Sequence, residues 1–323
     1  MDSISIITTN LLSPPVIAFG AGLTAHIARS DFRFPTQLYE ALSIYLLLAI
    51  GFKGGASLLS TPASQLILPI AAVAIAGISI PIVAYWICRK LLRFSVDDAA
   101  AMAAHYGSVS AVTFMACISF LEFRQIAYES YLPALMALME IPAIAVALIL
   151  FRLSKSDHKS TSLSAVAHEV FAGKSIFLLV TGLIAGALAG PSGFERAKPF
   201  LVEPFYGVLI LFLLEMGINA GKQITGLRGY GTKLVLFGIV MPLLQALLGL
   251  LLARMAGLSV GGTTAFMVLS ASASYIAAPA VVRIAIPEAN PGRYVTASLG
   301  ITFPFNLAVG IPLYYVIASL TAG

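Results

Sequence analysis
Apolar stretches of membrane-spanning length recur from one end of this chain to the other, with only short polar joints between them. A helix needs about 20 apolar residues to cross a bilayer, where every backbone N–H and C=O must be satisfied within the segment. Of the 323 residues, 59% are hydrophobic and 10% charged, against about 45–50% and 25% in an average soluble domain. A soluble fold is excluded, and no room is left for a sizeable soluble domain. The net charge of +5 is scattered singly between apolar runs, where it fixes topology and does not suit nucleic acid. Cys88 and Cys117 both fall inside apolar runs, so neither a disulfide framework nor a thiolate metal site is indicated.

Runs bounded by charges, Pro and Gly place ten spans, all helical. The first five lie near Pro15 to Ala28, Leu38 to Gly51, Leu66 to Cys88, Val96 to Leu121 and Tyr131 to Phe151. The second five lie near Ile176 to Ala189, Phe205 to Ala220, Leu234 to Met255, Val260 to Ile286 and Tyr294 to Leu320. Spans one, two, six and seven look short. Met1 to Leu12 has no basic region and no small-residue cleavage site follows, so the first span is expected to be retained. Fourteen of the nineteen Lys and Arg fall to one side, from Arg29 and Arg33 to Arg283 and Arg293. Lys53, Arg124, Arg196, Lys198 and Arg254 fall to the other, so both termini are expected outside. The cytoplasmic stretch from Arg152 to Lys174, with Ser160 to Phe171 in it, reads as a linker or as an interfacial amphipathic helix.

The two halves can be laid on each other. Phe19-Gly-Ala-Gly-Leu-Thr-Ala pairs with Leu179-Val-Thr-Gly-Leu-Ile-Ala, and Ala49-Ile-Gly-Phe-Lys-Gly-Gly with Glu215-Met-Gly-Ile-Asn-Ala-Gly. Ser95 meets Ser259, Gly107-Ser-Val-Ser-Ala meets Ala271-Ser-Ala-Ser-Tyr, and Glu140-Ile-Pro meets Thr302-Phe-Pro. Five is an odd number, so the second repeat (residues 175–323) must enter the membrane opposite to the first (residues 1–151), with 152–174 between them. Inverted repeats of this kind are transporter architecture.

Spans four and nine have small, polar middles, His105-Tyr-Gly-Ser-Val-Ser and Ser270-Ala-Ser-Ala-Ser-Tyr. Such clusters permit unwinding, and two half-helix N-termini meeting there would hold an anion on N–H groups and hydroxyls without any arginine. Gly107, Ser108, Ser110, Ser272 and Ser274 are the substrate candidates; taken singly, each is also a residue that lets helices pack closely. Ionisable groups inside a membrane are costly and functional by default, and His105, Glu140 and Glu215 qualify. Glu140 suits a coupling cation or proton, while Thr113 and Asn306 offer oxygens of the type sodium accepts. His105 either tunes the site or is a hydrogen-bonded structural residue, and Lys53 reads as snorkelling to the outer interface.

At these residues the chain resembles the sodium-dependent bicarbonate transporter family, the cyanobacterial-type permeases and their bacterial relatives. The resemblance rests on Gly51-Phe-Lys-Gly-Gly, Gly107-Ser-Val-Ser-Ala-Val-Thr, Glu140-Ile-Pro-Ala, Ser272-Ala-Ser-Tyr-Ile-Ala-Ala-Pro, Ile286-Pro-Glu-Ala-Asn-Pro and Gly310-Ile-Pro-Leu, in that order. It implies a core domain from spans three to five and eight to ten, a gate domain from one, two, six and seven, and a homotrimer in a bacterial inner membrane. It also implies sodium symport with elevator-like alternating access. In the family bicarbonate sits where the broken helices cross, which here is Gly107, Ser108, Val109 and Ser110 with Ser272, Ala273 and Ser274. Tyr275 stands where well-known cyanobacterial members carry an acidic residue, which sets it beside Ser110, Thr113, Glu140 and Asn306 as a cation-site candidate. A PII-like regulatory protein on the cytoplasmic face is a further implied partner.

The rival readings are a transporter of another small or organic anion, coupled to sodium or protons, and a channel. An intramembrane enzyme is a poorer fit, because His105 and Ser108 have no third orienting carboxylate and no metal-ligand spacing is present.

Overall fold
The structure, a computed structural model, describes residues 3–58, 61–155, 173–225 and 231–322. These residues form helices with no strand among them: α1 (Ser3–Leu11), α2 (Pro14–Ile27), α3 (Thr36–Leu58), α4 (Ala63–Lys90), α5 (Val96–Gly107), α6 (Ala111–Phe123) and α7 (Leu132–Ser154). Then follow α8 (Lys174–Leu201), α9 (Phe205–Thr225), α10 (Gly231–Met255), α11 (Val260–Ala271), α12 (Ala277–Ala285) and α13 (Pro291–Leu320). Among the described residues eight stretches are long and apolar enough to cross a membrane, with α5 and α6 counted together, and α1 with α2 make a ninth, bent by 59°. Large apolar side chains such as Ile67, Trp86, Leu188 and Leu236 face outward, as lipid contact requires and water would not tolerate. Most of the 152–174 joint, with the Ser160 to Phe171 segment, lies outside the described residues.

Helical residues fall in all of the expected stretches, eight or nine of them of membrane-crossing length among the described residues, and two that look short in the sequence are not. Gly51-Phe-Lys-Gly-Gly does not end α3, which continues to Leu58, because its glycines pack on a neighbouring helix and Lys53 is ion-paired with Glu122. Gly190 does not end α8 either; it adopts φ +64° and kinks a helix that resumes at Pro191. A positive φ is open to glycine at little steric cost, so the bend is made without loss of the helix that follows. Near Glu140 and Thr302 the two halves diverge: α7 is an ordinary helix, whereas α13 passes through π-turns at Thr296–Thr302 and Asn306–Gly310.

The packing repeats as the sequence does. A Cβ on Gly22 would collide with the Leu214 carbonyl, and one on Gly217 with that of Phe19, so α2 and α9 touch backbone to backbone. Their partners in the repeat do the same, with Gly51 against Leu179 and Gly182 against Leu48, joining α3 to α8. Without a hydrophobic drive between helices in lipid, such small-residue crossings let dispersion forces act over the closest approach. Separately, α4, α5 and α7 pack on one another, as do α10, α11 and α13. Ser95 and Ser259 cap α5 and α11, accepting from Asp98 N–H at 3.1 Å and Gly262 N–H at 3.0 Å. Two residues before each cap stands a left-handed residue, Arg93 (φ 59°) and Gly257 (φ 72°).

Candidate functional site
Both polar middles are broken helices. After Gly107 the chain is extended through Ser108 (φ −81°, ψ 152°) and Ser110 (φ −104°, ψ 108°), then turns into α6. Ser110 caps that helix: its Oγ accepts the Thr113 N–H at 3.2 Å and the Thr113 hydroxyl at 2.9 Å, the arrangement by which serine satisfies an otherwise free N-terminal donor. In the second half Ser272 is extended (φ −86°, ψ 161°), and Ser274 Oγ accepts the Ala278 N–H at 3.1 Å in the first turn of α12.

The breaks cross. Ser110 N–H donates to Ser272 Oγ at 2.9 Å, and Ser274 N–H donates to the His105 carbonyl at 2.8 Å. The ends are tied as well. Asp98 in α5 accepts the Asn290 N–H at 2.8 Å and pairs with Arg293, while Glu129 accepts the Ser259 N–H at 2.6 Å where α11 begins. The two breaks are therefore bonded at their middles, and each broken helix is tied near its start to the segment just beyond the other's end.

Where the breaks meet lies a small cavity. Val109, Ser110 and Ala111 line it from one break, and Ser274, Tyr275, Ile276 and Ala277 from the other; α7 adds Glu140 and α8 adds Ser175. Ala111 and Ala277 are the first residues of α6 and α12, so the partial positive charge of two helix N-termini is directed at one small space. Glu140 is 5% exposed, its Oε2 has no hydrogen-bond partner, and Tyr275 Oη lies near Ser110 without reaching hydrogen-bond geometry.

Of the substrate candidates, Val109, Ser110 and Ser274 line this space. Gly107 does not: a Cβ there would come to 2.9 Å from Pro81 and 3.1 Å from Ala143, so the glycine serves packing between α4 and α7. Ser108 and Ala273 are buried beside the crossing, and Ser272 is spent on it, its hydroxyl donating to the Leu269 carbonyl at 2.9 Å. Of the cation candidates, Ser110, Glu140 and Tyr275 meet at the cavity, and Thr113 lies one turn behind Ser110. Asn306 stands apart, donating to the Ala271 carbonyl at 2.8 Å and accepting from Tyr314 Oη at 2.9 Å. His105 Nδ1 bonds the Ala101 carbonyl at 2.7 Å and the ring packs 4.3 Å from that of Tyr294, while Nε2 is buried without a hydrogen-bond partner. Glu215 Oε1 accepts from Asn219 at 3.0 Å, in α9. Ser175 carries no signal in the sequence, because a polar residue at the start of a span is ordinary; only the fold brings it against Glu140.

A search of curated proteins finds no match. A family model described as the Na+-dependent bicarbonate transporter superfamily matches residues 14–319, which takes in both breaks, Glu140 and every helix from α2 onward. A match over nearly the whole length identifies a multi-pass membrane protein of a transport family, not an enzyme. The chain belongs to the Na+-dependent bicarbonate transporter superfamily.

Proposed function
We propose that this protein is a secondary transporter that takes up a small inorganic anion, bicarbonate, with sodium, by alternating access in a bacterial inner membrane. The observation that carries the reading is the crossing of two broken helices, bonded Ser110 to Ser272 and Ser274 to His105, with two helix N-termini opening on one cavity. Main-chain dipoles can hold a single negative charge there without a basic side chain, which keeps binding weak enough for release.

The packing supports ten spans in two inverted repeats, with α11 and α12 forming the ninth. The contacts of Gly22 with the α9 backbone and of Gly182 with the α3 backbone exchange under the repeat, as they must if the halves are related by a two-fold axis in the membrane plane. On this reading α2, α3, α8 and α9 form a stationary gate, and α4 to α7 with α10 to α13 form a core that carries the site past it. The homotrimer, the external termini and a PII-like partner on the cytoplasmic face belong to the same proposal. Ser110, Thr113, Glu140, Tyr275 and Asn306 are its candidate cation groups.

The test is uptake of radiolabelled bicarbonate into proteoliposomes with and without an inward sodium gradient. Sodium-stimulated accumulation is expected. No substrate-dependent flux under any cation gradient would remove the proposal.

A further inference from the structure
A carboxylate stands where an anion is to be bound. Glu140 enters the cavity from α7, 5% exposed, with Oε2 unpaired and no ion pair reaching the carboxyl among the described residues. Among the described residues the only other titratable group lining the space is Tyr275. From the elements packed against α7, no basic group pairs with Glu140 among the described residues: Asp97 and Asp98 on α5 are held by Lys155 and Arg293, and His105 bonds Ala101 through Nδ1, its Nε2 having no partner. Lys53 on α3 is held by Glu122, Tyr85 on α4 bonds Ser154, α11 has no titratable residue, and Lys174 on α8 is exposed beside Ser175.

A charged Glu140 and a bound monoanion would share one set of helix N-termini, two like charges in a space that seats one. Apart from Glu140, the lining residues belong to a break or a helix start, where the field is positive and opposes a bare cation. Of the carbonyls at the opposite half-helix ends, which suit sodium, three already accept a hydrogen bond: His105 from Ser274 N–H, Tyr106 from Gln245 at 2.9 Å, and Ala271 from Asn306. A proton needs only the carboxylate oxygen.

We propose that Glu140 is a tethered anion that competes with substrate for the cavity, and that one proton must add to its carboxylate for each anion bound. The proton is released again when the anion leaves and the carboxylate returns to the helix ends. The inference rests on the transport reading and adds a proton to each anion moved, whether or not sodium moves too.

Calorimetric titration of the purified full-length protein with bicarbonate, in buffers of different ionisation enthalpy at fixed sodium, counts the protons taken up. Where the carboxylate is ionised in the free protein, roughly one proton per bicarbonate is expected for the wild type, with affinity falling about tenfold per pH unit. Glu140→Gln should bind with no linked proton and no such pH dependence, and Glu140→Asp should keep both. Bicarbonate binding by the wild type with neither proton uptake nor loss of affinity as the pH rises overturns this inference and leaves the transport reading standing. Absence of bicarbonate binding overturns both.

Discussion
The N–H of Ser110 reaches the hydroxyl of Ser272 at 2.9 Å, but the bond that the repeat would pair with it, Ser274 N–H to Ser108 Oγ, is not made. Ser274 N–H goes to the His105 carbonyl at 2.8 Å, and Ser108 Oγ is left buried without a partner. Two serines in equivalent places therefore do different work. Ser272→Ala would orphan a buried N–H, at about 1–3 kcal/mol; Ser108→Ala removes an unsatisfied group and should be neutral or slightly stabilising. Thermal unfolding in detergent separates them, and an equal loss in both variants would contradict the asymmetry.

The glycine crossings make a second prediction. Gly51→Ala and Gly217→Ala each drive a methyl into the backbone of the opposing helix, and overpacking of this kind costs about 1–3 kcal/mol or more. At Gly20 an added methyl group would meet nothing within 4 Å, so alanine should be accepted there with no loss, being the better helix former by up to about 1 kcal/mol. Denaturant titration in detergent micelles reads all three. A stable Gly217→Ala would mean that α2 and α9 do not touch.

The spans and both breaks are legible in the sequence because their signals are local: apolar length, and Gly and Ser clustered where a helix should run on. The limits of α3 and α8 are not, since Gly51 and Gly190 stop helices by propensity and only tertiary contact or a tolerated kink keeps them going. The site is legible in its serines and in Glu140. What each serine does stays hidden, because lining a cavity, capping a helix and bridging two breaks all call for the same small hydroxyl.

Asn306 offers a test of its two roles. In the structure its amide joins the Ala271 carbonyl to the Tyr314 hydroxyl, at 2.8 and 2.9 Å. Asn306→Ala leaves both buried groups unpaired, so the melting temperature should fall by the same amount with and without sodium. A cation ligand behaves otherwise: ligand-linked stabilisation grows with concentration, and its loss would show only when sodium is present. If the variant abolishes a sodium-dependent rise in melting temperature, Asn306 holds the cation.

The ammonium of Lys53 pairs with Glu122 at the end of α6, whose Oε1 also accepts the Tyr128 hydroxyl at 2.6 Å. The side chains of the pair are 37% and 39% exposed, so its net worth is about 0.2–1 kcal/mol and falls with salt. Its placement gives that small energy a use. On the proposed division α3 belongs to the gate and α6 to the core, so the pair must break whenever the core moves, and it favours the state described here. Removing it should shift the balance between states by about 1.5- to 5-fold. Lys53→Gln and Glu122→Gln should therefore change the uptake rate in the same direction, the double variant no further, and the swapped pair Lys53→Glu with Glu122→Lys should restore it. Additive effects in the double variant would show that the two residues act separately and that no latch joins gate to core.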